Sequence, residues 1–174
     1  MTAVFVFLGT GCNSEKRADY PAMAESVDLA KFMGKWYVHG YSPTFLDRDA
    51  HNPTEMYELD DKGRILTTYR FRKGGFDGPE KVYRPVGKVV NHETNSEWRM
   101  RFFSVISAPY LILYRDSEYQ YTLIGHPNRK MAWLMSRSPT ITEAKYDELV
   151  KKLEAQDYDL SNFVRAKHEV PETT

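Results

Sequence analysis

Few residues in this chain are of the types that do chemistry, and their spacing argues against most of it. The five histidines, His39, His51, His92, His126 and His168, are scattered with no pair at metal-ligand spacing. Cys12 is the single cysteine, so an intramolecular disulfide and a thiolate metal cluster are both excluded. Asp60-Asp61 and Asp47-x-Asp49 sit among turn residues and read as turn carboxylates, not as an acid–base pair. The chain has no Gly-x-Ser-x-Gly elbow, phosphate loop or cysteine nucleophile. These residues describe a protein that is not an enzyme and that uses neither metal nor cofactor.

What the chain has in quantity is aromatic surface. Twelve tyrosines, nine phenylalanines and three tryptophans in 174 residues suit β structure and an aromatic-lined interior better than a helical bundle. Lysine plus arginine and aspartate plus glutamate number 24 each, so the net charge is zero. Nucleic-acid binding driven by bulk charge is therefore not expected. The length suits one domain, with a core large enough to do without staples.

The elements that position these aromatics are short segments of alternating polarity between turn signals, from Asp28 to Arg137. Asp28 caps a helical turn that Gly34 ends. A first strand follows over Trp36 to Tyr41. Ser42 to Pro53 reads as a long irregular connection of the length lids have, with Phe45 and Leu46 belonging to no strand. Asp60-Asp61-Lys62-Gly63 turns a hairpin between Glu55–Leu59 and Arg64–Arg72. Along the second of these strands Thr67, Tyr69 and Phe71 share one face, and Thr68, Arg70 and Arg72 the other. The arginines face water, so the aromatics face in. Val82 to Asn91 is a strand pair or one bent strand, because Pro85 cannot donate to a central ladder. Trp98, Met100 and Phe102 alternate with Arg99 and Arg101. Tyr110–Tyr114, Tyr119–Ile124 and Met131–Ser136 complete the set, with the parity of Tyr119, Tyr121 and Leu123 open.

The fold this predicts is all-β, an eight-stranded up-and-down antiparallel β-barrel with one C-terminal α-helix packed outside. Thr140 and Glu143 have capping-box spacing for that helix, and Tyr146, Leu149, Val150 and Leu153 form a single apolar stripe. Leu160 to Val164 adds a short strand. A barrel of this size is either solidly packed or holds one small ligand. Alternation nominates Val38, Tyr57, Thr67, Tyr69, Phe71, Met100, Phe102, Trp133 and Met135 as its lining. Between residues 62 and 101 ten Lys or Arg face four acids. A solvated barrel exterior explains them, and docking to anionic lipid headgroups is the sharper reading.

Met1 to Gly11 is apolar and uncharged, and polar residues follow Cys12, which is the outline of a secretory leader. Cys12 after Gly9-Thr10-Gly11 resembles a bacterial lipoprotein cleavage site. It departs from that pattern in having no Lys or Arg before the apolar run, and in Leu8 lying four residues before the cysteine rather than three. Residues 1–27 are thus expected to be a lipoprotein signal-like leader and tether with Cys12 as lipid anchor. Residues 28–170 form the barrel domain.

Gly34-Lys35-Trp36-Tyr37 opening the first strand, Trp133-Leu134-Met135-Ser136-Arg137-Ser138-Pro139-Thr140 closing the last, and the single helix directly after it together resemble the lipocalins. With Tyr119 to Ile124 and Gly125-His126-Pro127-Asn128, the match is nearest the bacterial outer-membrane lipoprotein subgroup, of apolipoprotein D-like type. The resemblance implies that Arg137 stacks on Trp36 beside Gly34 as a structural barrel base. It also implies binding and storage or transport of a small lipophilic ligand, a fatty acid or lysophospholipid. The implied location is the bacterial outer membrane, at its periplasmic face, through lipidated Cys12, with no nucleic-acid partner. A homodimer is compatible with it. The alternative is a lipocalin-fold enzyme of isomerase or de-epoxidase type acting on a lipophilic substrate, with His39 or Glu55 as its interior titratable group.

Overall fold

The computed structural model describes residues 19–103 and 105–169; Cys12 and the leader before it lie outside the described residues. Asp28 caps α1 (Leu29–Phe32) by accepting from the Lys31 amide, and the chain passes at once into β1 (Gly34–Tyr41). The barrel continues through β2 (Ala50–Leu59), β3 (Arg64–Lys73), β4 (Glu80–Tyr83), β5 (Val86–Val89), β6 (Glu97–Phe102), β7 (Ile106–Arg115), β8 (Tyr121–Gly125) and β9 (Ala132–Ser136). Neighbours pair antiparallel in the order β1, β2, β3, β5, β6, β7, β8 and β9, and β9 returns to β1, Tyr37 opposite Ser136 and Tyr41 opposite Trp133. Strands β4 and β5 both pair with β3 and are separated by Arg84 and Pro85, so together they make one stave broken where the proline lacks a donor. The Thr67 amide donates to the Pro85 carbonyl at 3.1 Å across that break. Eight staves therefore close the sheet and remove its edges.

Several boundaries differ from the sequence expectation. β2 begins at Ala50, not Glu55, and a register shift between His51 and Thr54 lets it pair up to Lys73. The connection from β1 is thereby shortened to residues 42–49. β7 starts at Ile106, because β6 offers a full ladder to a stretch whose own Ser-Ala-Pro sequence shows little strand preference. Tyr119 has φ of 55° and belongs to the turn before β8. The second helix, α2 (Glu143–Glu154), is capped by Thr142 rather than Thr140: the Thr142 hydroxyl accepts from the Lys145 amide at 3.3 Å.

The segments flanking the staves, residues 20–27 and 164–167, are packed onto the barrel. Beyond Tyr37 the β1–β2 ladder stops, and β10 (Val164–Arg165) pairs with Gly40 and Tyr41 of β1. Lys167 then bridges to His51, and Ala166 packs into the interior cluster. At the other end, the tether expected over residues 13–27 is packed from Tyr20 onward. Ala24 donates to the Ile112 carbonyl at 2.9 Å, Val27 to that of Thr94 at 2.7 Å, and Val27 is buried. Apolar side chains of residues 20–27 account for this, since they cover surface that the barrel and helix leave open.

Two apolar clusters follow from strand parity. Inward residues of all staves form one. The other lies outside, where Leu111, Leu113, Leu123, Ala132 and Leu134 meet Leu149 and Leu153 of α2. That second cluster answers the open parity: Thr122 and Ile124 face in, while Tyr121 and Leu123 face the helix.

Candidate functional site

The closed end is a floor built on Trp36. The Arg137 guanidinium lies 3.7 Å from the centre of the indole ring. Its nitrogens donate to the carbonyls of Lys35 (2.8 Å), Lys31 (2.7 Å), Phe32 (3.1 Å), Met33 (2.8 Å) and Tyr119 (3.2 Å). Five carbonyls at a helix end and a turn are thus bonded by one side chain whose planar fork suits them. Burial brings the Arg137 pKa down only to about 10, so it remains a cation. Gly34 is favoured here by its φ of 94°, a left-handed backbone that a side chain would strain. Trp36 Nε1 donates to the Phe32 carbonyl at 2.9 Å.

Above the floor the barrel is solid. Phe32 and Trp36 are 5.2 Å apart between ring centres, Phe32 and Trp98 5.4 Å, and Trp98 stacks on Tyr110 at 5.5 Å. All nine lining candidates face the interior, but at two levels of burial. Val38, Tyr57, Thr67, Phe71, Met100 and Met135 are packed with almost no accessible surface. Tyr69, Phe102 and Trp133 retain some, together with Tyr83. The inward side chains that keep accessible surface therefore lie toward the end of β6 and the start of β9, with Tyr69 and Tyr83 beside them.

A polar group cluster borders these side chains. Glu55 shares a row with Trp36 on one side and Tyr69 and Tyr83 on the other, by strand register. It is 8% exposed, and burial, with the nearby Asp47, raises its pKa to about 8. Asp47 comes from the 42–49 loop. Its Oδ1 accepts from the Thr44 amide and hydroxyl, both at 2.7 Å, and its Oδ2 from the Tyr69 hydroxyl at 3.0 Å. The Tyr41 hydroxyl donates to the Asp47 carbonyl at 2.9 Å. Asp47 is thus a turn carboxylate, as its sequence context suggests, and also the pin that holds the loop over the β1–β3 side of the mouth. Phe45 does not perform that role, being 82% exposed. The Tyr57 and Tyr110 hydroxyls hydrogen-bond to each other. Thr67 Oγ1 is buried with no partner.

Sequence reasoning passed over Trp98, Tyr83, Tyr110 and Asp47 as site residues. The first two were available from alternation with Met100 and Val82. Tyr110 was hidden because β7 is apolar on both faces, one turned to the barrel interior and one to α2. Glu55 was recognised only as an enzyme candidate, although its parity with Tyr57 already placed it inside. His39, the other such candidate, is buried outside the barrel under the C-terminal segment. It contacts Ser136 Oγ at 2.8 Å and lies 5.1 Å from the His168 ring, and burial lowers its pKa to about 4. Among the described residues no group of three or more His, Cys, Asp or Glu could hold a metal.

A closed eight-stave antiparallel barrel with a Trp–Arg floor, one outer helix and a polar-edged upper chamber defines a barrel of the kind that suits small hydrophobic ligands. The chain belongs to the lipocalin family: residues 27–168 match the lipocalin-like domain. It is 24% identical over 166 residues to the outer membrane lipoprotein Blc of Escherichia coli (strain K12), covering 93% of this chain and 91% of that one. It is 24% identical over 162 residues to temperature-induced lipocalin-1 of Arabidopsis thaliana, covering 87% and 82%. Among solved structures, insecticyanin from the tobacco hornworm Manduca sexta superposes with a TM-score of 0.65 at 17% identity, covering 88% of this chain and 85% of that one. Lobster apocrustacyanin A1 gives 0.63 at 14%, covering 87% and 91%. These two show a shared fold.

Proposed function

We propose that the barrel binds one amphipathic lipid, a fatty acid or lysophospholipid, and stores or transports it at the bacterial outer membrane. The observation that carries this is the upper chamber, where Tyr69, Tyr83, Phe102 and Trp133 keep accessible surface above a filled layer. An apolar wall with a few polar groups is what an amphiphile needs. Val38, Tyr57, Phe71, Met100 and Met135 then serve as the packed lower wall rather than as direct contacts. Gly34, Trp36 and Arg137 close the base and touch no ligand. The exposed Phe45, Phe103, Val105 and Ile106 at the open end favour exchange with a lipid surface. Anchorage through lipidated Cys12 at the periplasmic face follows from the leader pattern and from similarity to relatives that are outer membrane lipoproteins.

The chain acts without catalysis in this reading. His39, facing away from the chamber, cannot serve an isomerase or de-epoxidase reaction there. Displacement of a fluorescent fatty acid from the folded protein tests the proposal. One site per barrel is expected, weakened by Phe102→Ala and Trp133→Ala. No displacement by any fatty acid or lysophospholipid would overturn it.

A further inference from the structure

Of the carboxyls bordering the barrel interior, Glu55 stands without a partner. The Asp47 carboxylate is fully engaged by Thr44 and Tyr69. Among the described residues no group donates to Glu55: burial and the charge of Asp47 alone act on it. None of the phenols around it donates to it: Tyr69 donates to Asp47, Tyr41 to the Asp47 carbonyl, and Tyr57 and Tyr110 bond to each other. One row lower, beside Tyr57, the Thr67 hydroxyl is also buried and unpartnered. A buried carboxyl and a buried hydroxyl left open in one place are groups waiting for a donor.

The sign of the missing partner follows from the charges nearby. Arg70, Arg72, Arg99 and Arg101 are exposed on the outer face. The nearest cation that register places on the inward side is Lys81, opposite Phe71 at the rim. Asp47, and Glu55 once ionised, repel an anion and attract a cation, and the faces of Tyr69 and Tyr83 add to that attraction.

We propose that Glu55, with Thr67 beside it, is the subsite for the ammonium group of an amphiphile whose alkyl chain lies against Tyr83, Phe102 and Trp133, and that a carboxylate head is disfavoured there. This rests on the lipid-binding reading above and selects within it, favouring a lysophospholipid with an ammonium head over a fatty acid. A pH dependence follows. Glu55 faces Asp47, Tyr41, Tyr57, Tyr69, Tyr83 and Tyr110, with Lys81 at the rim, and is largely protonated at neutral pH. An ammonium favours the ionised form, so its affinity rises as pH climbs from 6 to 8, where both decylammonium and decanoate keep their charge.

Calorimetric titration of the folded protein with decylammonium, decanol and decanoate, below their aggregation limits, tests this. Decylammonium is expected to bind about tenfold or more tighter than decanoate at pH 8, the ratio a charge-assisted hydrogen bond supplies. Its affinity should rise with pH while that of decanol stays level. Glu55→Gln, which keeps the shape, should abolish both the preference and the pH dependence and leave decanol within about threefold. Decanoate binding as tightly as decylammonium, or a preference unchanged in Glu55→Gln, would overturn the ammonium assignment alone. Binding of none of the three would overturn the lipid-binding reading with it.

Discussion

Arg137, half-buried beneath the barrel, and Glu55, buried inside it, are treated by the fold in opposite ways. Every carbonyl around Arg137 receives a hydrogen bond and the indole covers its face. Around Glu55 no described group donates to the carboxyl, and the neighbouring Thr67 hydroxyl is unsatisfied as well. Polar chemistry at the floor is directed to holding three segments, the turn of α1, the start of β1 and the turn before β8. Polar chemistry in the chamber is left open at a cost to stability. Such a cost is retained where a group has work other than folding, and the proposed binding role assigns that work to the upper half of the interior.

The contrast can be broken most sharply at the floor. Arg137→Ala should destabilise the protein by about 3 kcal/mol, since it strips donors from five carbonyls and uncovers Trp36. Chemical denaturation measures this, and Arg137→Lys should recover little of it because a point charge cannot reach the same set. A loss below about 1 kcal/mol would mean that the floor is not what closes the barrel.

In the chamber the direction reverses. Glu55 has its pKa raised from 4.5 to about 8, so the folded state holds more protons than the unfolded state between those values. Its contribution is therefore fully present below pH 4.5 and falls as pH rises to 8. Glu55→Leu should be more stable than the parent at pH 8, by on the order of 2 kcal/mol, with the gap narrowing toward pH 5. Thermal unfolding across that range reads the slope; a parent and variant that run parallel would show that Glu55 is not held protonated by the fold. The smallest effect is at Thr67. Thr67→Val keeps the shape, removes an unpartnered hydroxyl and should stabilise by about 1 kcal/mol. Destabilisation instead would indicate that the hydroxyl has a bonding role in the folded protein.

The floor was legible in the sequence because its parts are strong local signals at element ends: Gly34 before Trp36 where β1 starts, and Arg137 where β9 stops. The inward set Thr67, Tyr69 and Phe71 was legible because the outward residues beside them are arginines, which fixes parity without a partner strand. The chamber was harder to read. Asp47 acquires its role only when the 42–49 loop meets Tyr69 on β3, a contact no local pattern encodes. Tyr110 gave no parity because α2 buries the outer side of β7. The division of the nine lining residues into packed and accessible levels depends on how Trp98 and Phe32 fill the lower barrel, which is a matter of volume rather than periodicity.

The division between a solid lower barrel and an open upper chamber is tested most directly by a crystal structure of the protein grown with a long-chain amphiphile. The chain should lie between Tyr83, Phe102 and Trp133 with its head toward Glu55, and Trp36, Trp98 and Met135 should keep their packing. A chain running between Trp98 and the floor, or seated only on the outer groove near Lys35 and Arg70, would contradict it.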